Sequence, residues 1–195
     1  MNKLILTAAF SSLFVLGAEA QILMGKSAEI SFFSATPMEN ISATNKVTKP
    51  ILNTATGDVL VKVGISGFTF EKALMQEHFN ENYMETDKEG PKDAKGQVTY
   101  PNRMATFKGK INEKVDYTKD GTYKVTVTGK LTIHNVEKDR TIEAVLTVKG
   151  GSVTVDTVFK VPLKDHNITV PELLYQKIAE VVDVKMHAEL TEGGK

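Results

Sequence analysis

Cysteine is absent from all 195 residues. That excludes disulfides, thiolate metal ligands, a cysteine nucleophile and a lipid-modified N-terminal cysteine. Without a covalent staple, stability must come from burial alone. Tryptophan is absent too, and aromatics make up only 7% of the chain, a poor fit to the aromatic girdles of a membrane barrel. No charge of either sign is in excess: 24 Lys+Arg face 24 Asp+Glu with no dense basic run, so no electrostatic reason for nucleic acid exists. Beyond residue 20 no apolar run is long enough to span a bilayer as a helix.

What is present begins with an export signal. Lys3 supplies a positive start, and residues 4–16 are apolar except for Thr7, Ser11 and Ser12. Gly17-Ala18-Glu19-Ala20 then gives the small residues that signal peptidase accepts. The pattern predicts a cleaved signal peptide over residues 1–20, with the mature chain starting at Gln21 in the periplasm. The apolar run is too short for a transmembrane anchor. Loss of Lys3 and Glu19 leaves the mature chain neutral, and residues 21–195 suit one domain with a sizeable core.

Period-two alternation dominates that domain, the mark of half-buried strands. Tyr123, Val125, Val127, Gly129, Leu131 and Ile133 oppose Lys124, Thr126, Thr128, Lys130 and Thr132. The same pattern recurs through Ile142 and Leu146, Val155 and Phe159, Val184 and Met186, Phe107 and Ile111, and Val61 and Val63. Residues 30–35 and 39–47 are weaker strand candidates. Asp120-Gly121 and Gly150-Gly151 are hairpin signals, and residues 135–139 read as a polar connection. Residues 70–85 carry a helical stripe of Phe70, Leu74, Met75 and Phe79, and residues 171–178 a second short helix. Residues 87–99 read as an exposed loop. The expected fold is all-β: a lipocalin-like antiparallel β-barrel of about eight strands with one or two short helices.

The faces decide what kind of barrel this is. One face of every strong strand carries Lys, Glu or Asp, and the other is nearly unbroken Val, Ile, Leu and Phe. A transmembrane barrel turns its apolar face to lipid and keeps a polar lumen, so the apolar face here belongs inside a soluble barrel. Such an interior is either filled by side chains or holds an apolar ligand, and patterning alone leaves both open. Gly109, Gly129 and Ala144 at inward positions are expected to leave room.

Several segments resemble the YceI-like family. Gly129-Lys130-Leu131-Thr132-Ile133-His134-Asn135-Val136-Glu137-Lys138 is similar to its strand-and-turn motif, with Asn135 in place of the usual glycine. Residues 74–83 resemble its helix, and Tyr100-Pro101 before Ala105-Thr106-Phe107 resembles its entry into the next strand. Residues 159–168 and 178–190 are similar to its late segment and closing strand. The helix start Glu71-Lys72-Ala73-Leu74 departs from the family's usual lead. The resemblance implies a lipocalin-like barrel holding a long isoprenoid or other lipid chain in its interior.

The polar candidates for chemistry are sparse. His78, His134, His166 and His187 lack metal-ligand spacing, and Ser66 is not in a nucleophile elbow. No metal, cofactor or catalytic residue is therefore expected. Lys164, Asp165, His166 and Tyr175 either meet a polar head group or form a solvated loop. Leu74, Met75 and Phe79 either cap a ligand or close a barrel end as core. The expected function is non-catalytic sequestration of a long-chain isoprenoid or other lipid. The expected ligand contacts are Val61, Val63, Leu74, Met75, Phe79, Phe107, Val125, Val127, Gly129, Leu131, Leu146 and Phe159. Rival readings are an interaction or stress module with a filled barrel, and an enzyme acting on a lipid head. A homodimer is compatible with all three.

Overall fold

A computed structural model describes residues 21–170 and 178–193. The expected signal peptide, and all of the second expected helix but Ile178, lie outside the described residues. Ten strands form one antiparallel sheet: β1 Ile22–Ala35, β2 Asn40–Asn45, β3 Ile51–Asn53, β4 Asp58–Gly64, β5 Phe68–Phe70, β6 Met104–Ile111, β7 Gly121–Ile133, β8 Val136–Lys149, β9 Ser152–Pro162 and β10 Val181–Glu192. β1 pairs with β10 from Leu23↔Glu192 to Phe33↔Asp183, which closes the sheet on itself.

Ten strands make eight staves, because two staves are broken. β2 lies against the far half of β1 and β3 against its start. Likewise β4 pairs with β3, and β5 with β2. Residues 46–50 interrupt the first of these staves, and a 3-10 turn, Ile65–Gly67, interrupts the second. A fully buried Asn45 ties the two breaks together. Its Nδ2 donates to the Gly64 carbonyl at 2.9 Å, and its Oδ1 accepts from Val47 N–H at 3.0 Å and Thr48 Oγ1 at 3.1 Å. Around the rest of the wall the meander runs β4-β6-β7-β8-β9-β10.

Strand faces follow the expected alternation from β6 onward. In β7, Val125, Val127 and Leu131 are buried, and in β8 so are Ile142, Ala144, Leu146 and Val148. β1 behaves differently. A register shift between Gly25 and Ser27 leaves Lys26 as an extra residue, so odd positions face inward before it (Leu23) and even ones after (Ala28, Ile30). Gly25 is required here: a Cβ would stand 2.7 Å from Pro50 Cδ, where residues 46–50 cross the strand.

Two connections differ from their sequence reading. β7 and β8 are joined by His134 and Asn135 alone, with φ of 49° and 57°, and Val136 already begins β8. That pair of positive φ values is the tight hairpin turn that matches strand twist, and asparagine tolerates it. Asp120-Gly121 is not a hairpin turn, because residues 112–120 form a longer loop and β7 starts at Gly121. Gly150-Gly151 does turn as expected, with φ of 56° and 81°.

The expected helix is shorter than its stripe. Phe70 belongs to β5, α1 spans Ala73–His78, and the chain continues as a π turn over Phe79–Tyr83. Residues 87–99 form a loop whose only ladder contact among the described residues is the Lys92↔Val98 bridge.

Candidate functional site

The barrel has two unlike ends. At one, Leu23, Leu52, Val125, Leu146, Val148, Val153, Ala188 and Leu190 pack together, with Val115 and Tyr117 from the 112–120 loop set against them. Burial there pushes the Tyr117 hydroxyl up to about 12. The other end, under α1, encloses a cavity of about 630 Å³. That volume lies within the range of small-molecule sites.

The cavity walls are aliphatic below and aromatic above. Its floor is formed by Leu52, Ile111, Leu146 and Leu190, which also belong to the packed end. Its sides include Val61, Val63, Phe107, Val127, Leu131, Ile142, Phe159 and Val161. Beneath the helical cap, Phe32 meets Phe68, Phe70 and Phe79 at centroid distances of 5.4, 5.8 and 5.4 Å, and Phe79 meets Phe70 at 5.1 Å. Lys72, Leu74 and His78 are exposed yet also line the cavity, so it reaches solvent at this end.

Polar groups are few and mostly committed. Ser34 Oγ accepts from Ala179 N–H at 2.8 Å, and Thr157 Oγ1 donates to the Glu143 carbonyl at 2.6 Å. Lys72 pairs with Glu39 across the rim at 3.5 Å. Burial raises the Tyr83 hydroxyl above its ordinary value. Among the described lining residues no nucleophile stands beside a base, and among all described residues no three His, Asp or Glu side chains converge to hold a metal.

Two of the histidines take structural positions. His166 is fully buried, with Nδ1 on the Val136 carbonyl at 3.0 Å, and burial lowers its pKa. His134 places Nδ1 on the His166 carbonyl at 3.2 Å and Nε2 on the Glu85 carboxylate at 3.0 Å. Lys88, then His134, hold the Glu85 carboxyl below its usual range. These contacts tie the segment after the cap to the β7–β8 turn and to the 3-10 turn Leu163–His166. Within the late loop, Leu163 and Ile168 line the cavity, whereas Lys164, Asp165 and His166 do not; Tyr175 lies outside the described residues.

Of the contacts expected from sequence, Val61, Val63, Leu74, Met75, Phe79, Phe107, Val127, Leu131, Leu146 and Phe159 line the cavity. Leu74 does so from the rim, 61% exposed. Val125 and Gly129 do not line it, and both are corrections. Val125 is buried one layer lower, inside the packed end. Gly129 leaves no room at all: it pairs with Gly109, and a Cβ there would run into the backbone of Lys108 and Gly109. The space beside Gly109 is taken by the Phe107 ring, 2.8 Å from where a Cβ would stand. Both glycines mark a close approach of two strands, not a void. Sequence reasoning missed Phe32, Phe68 and Phe70. The Phe68-Thr69-Phe70 alternation was the available signal, obscured by the assignment of Phe70 to the helix.

No curated protein matches the chain in sequence. Solved structures match it over most of its length. BcnA of Burkholderia cenocepacia superposes with a TM-score of 0.65 at 18% identity, covering 83% of this chain and 95% of that one. A polyisoprenoid-binding domain from Saccharophagus degradans, implicated in plant cell wall breakdown, superposes at 0.69 with 12% identity, covering 89% and 99%. The YceI protein of Campylobacter jejuni gives 0.50 at 15% identity, covering 97% of each chain. These likenesses establish the fold, and the sequence match over residues 26–190 establishes the family: the chain belongs to the YceI-like domain family.

Proposed function

We propose that this protein binds a long apolar chain, a polyisoprenoid or other lipid, in its barrel and shields it from water in the periplasm without altering it. The observation that carries the reading is the cavity of about 630 Å³, walled by aliphatic and aromatic side chains from floor to cap. Burying each CH₂ contributes about 0.8 kcal/mol, so a long chain is held without specific polar chemistry. The polyisoprenoid-binding domain that shares the fold supports the ligand class, and the N-terminal signal pattern supports the compartment. The committed hydroxyls of Ser34 and Thr157 favour a holder over a catalyst.

The test is linkage. A ligand that binds only the folded state raises stability by about 2.7 kcal/mol at a hundredfold excess over Kd. Long isoprenoids delivered below their aggregation limit raise Tm, and short analogues of the same head group do not. Mass spectrometry of natively purified protein then identifies any chain carried along. Equal shifts from short and long compounds, or no shift across several lipid classes, would refute the reading.

A further inference from the structure

β8 and β9 are laddered only at the packed end. Their pairing runs from Lys149↔Ser152 to Val145↔Asp156 and stops, although β8 continues to Val136 and β9 to Pro162. Their other neighbours stay paired along the same height: β7 follows β8 out to Ile133↔Val136, and β10 follows β9 out to Val181↔Pro162. The interruption is therefore confined to one line in the wall.

Side chains take the place of the ladder along that line. Thr157 Oγ1 donates to the Glu143 carbonyl at 2.6 Å, and higher up the Arg140 guanidinium donates to the Lys160 carbonyl. At the top His166 Nδ1 meets the Val136 carbonyl at 3.0 Å. Behind the seam lies the cavity, whose lining there includes Ile142, Thr157, Phe159 and Val161. In front of it, Val145 and Val158 are 36% and 62% exposed on an outward face otherwise rich in charge. A wall that must stay shut gains from a continuous ladder. This one is held by a few separable clasps and has apolar residues on both its lips and its inner side.

We propose that the β8–β9 seam is a side portal by which the apolar tail of the ligand enters and leaves the cavity. The proposal rests on the apolar-chain reading above. Clasps to carbonyls open one at a time, whereas a ladder opens only with its neighbours. Val145 and Val158 give the tail an apolar contact as it crosses the polar outer face. The route spares the tail from threading past the Phe32, Phe68, Phe70 and Phe79 cluster under α1.

The absence of cysteine makes a clamp clean to build. Extending the Val145↔Asp156 register by two residues sets Glu143 opposite Val158. The double variant Glu143→Cys/Val158→Cys closes the seam when oxidised. The control, Lys160→Cys/Asp183→Cys, bridges the laddered β9–β10 pair next to it. Loading of a fluorescent long-chain prenol from phosphatidylcholine vesicles is followed by stopped flow, with the disulfides verified by mass. The clamped seam loads roughly tenfold more slowly, reductant restores the rate, and the control is unaffected. Thr157→Val, which removes a clasp, loads faster and needs no cross-link to form. Equal rates for clamped and reduced protein, equal slowing by the control, or an unchanged rate in Thr157→Val overturns the portal alone. Failure of the unmodified protein to take up the prenol refutes the apolar-chain reading and the portal with it.

Discussion

The two ends of the barrel are built from the same strands and do opposite things. At the packed end, Leu23, Val148, Val153 and Leu190 fill the space between strands that are laddered on both sides. At the other end the inward residues are on average larger, with Phe32, Phe68, Phe70, Phe79 and Phe107 among them, and yet the cavity is there. Side-chain size therefore does not decide which end is open. What differs between the ends is the continuity of the backbone ladder. The open end is where the staves break at residues 46–50 and Ile65–Gly67, where β8 and β9 lose their ladder, and where a helix replaces strand as the cover.

The largest effect that tests this contrast is a truncation at the packed end. Leu23→Ala removes a side chain 1% exposed among close neighbours and should lower unfolding stability by about 2–5 kcal/mol. Met75→Ala at the cavity removes a side chain that already faces empty space and should lower it by about 1 kcal/mol or less, while weakening uptake of a long chain. Urea melts of both variants compare the ends directly. Similar losses would erase the distinction.

A smaller effect is expected at the waist between the ends. Gly129→Ala forces a methyl group against the Lys108 and Gly109 backbone and should destabilise by about 1–3 kcal/mol. A neutral result would mean that β6 and β7 can part there, and that the waist is soft.

The smallest effect is a pH dependence. Burial depresses the His166 pKa, so the folded state holds its ring neutral while the unfolded chain protonates it near the ordinary value of 6.5. Its contribution is complete above that value and is lost as pH falls from about 6.5 through the folded pKa. His166→Asn should flatten the Tm profile in that window and leave higher pH little changed in slope. The Glu85 carboxylate, depressed by Lys88 and His134, acts in the same direction at lower pH. An unaltered acid slope in the variant would assign the dependence to other groups.

How much of this was legible in the sequence follows from the same contrast. β6 to β10 alternate without a break, so Val127, Leu131, Leu146 and Phe159 could be assigned inward from periodicity. β1 was legible only over residues 30–35; its start was hidden because Lys26 shifts the parity and the inward set moves from odd to even positions. The broken staves were missed in part because β3 and β5 are each three residues long, below any periodic signal. Val125 and Gly129 share a face with Val127, yet parity gives a face and not a depth, so one fell below the floor and the other at a strand contact. The β7–β8 turn was misplaced because residues 135–139 look like a loop, whereas Glu137 and Asp139 are outward strand residues paired with Lys130 at 2.7 and 3.5 Å. The helix was legible from its own stripe of Leu74, Met75 and Phe79, and the family resemblance added the expectation of a long chain in the interior.

The closure between β1 and β10 carries a consequence for the order of events when the chain folds. Leu23 meets Glu192, so the wall joins the first described strand to the last. Contacts so distant in sequence are slow to form. Until β10 arrives, β1 has an unpaired edge and the apolar lining faces outward through the open side, a state prone to pairing with other chains. Closing that one edge completes the packed end and the cavity wall in a single step. The pocket is thus among the last features of this domain to form, and it cannot hold a ligand before β10 has been made.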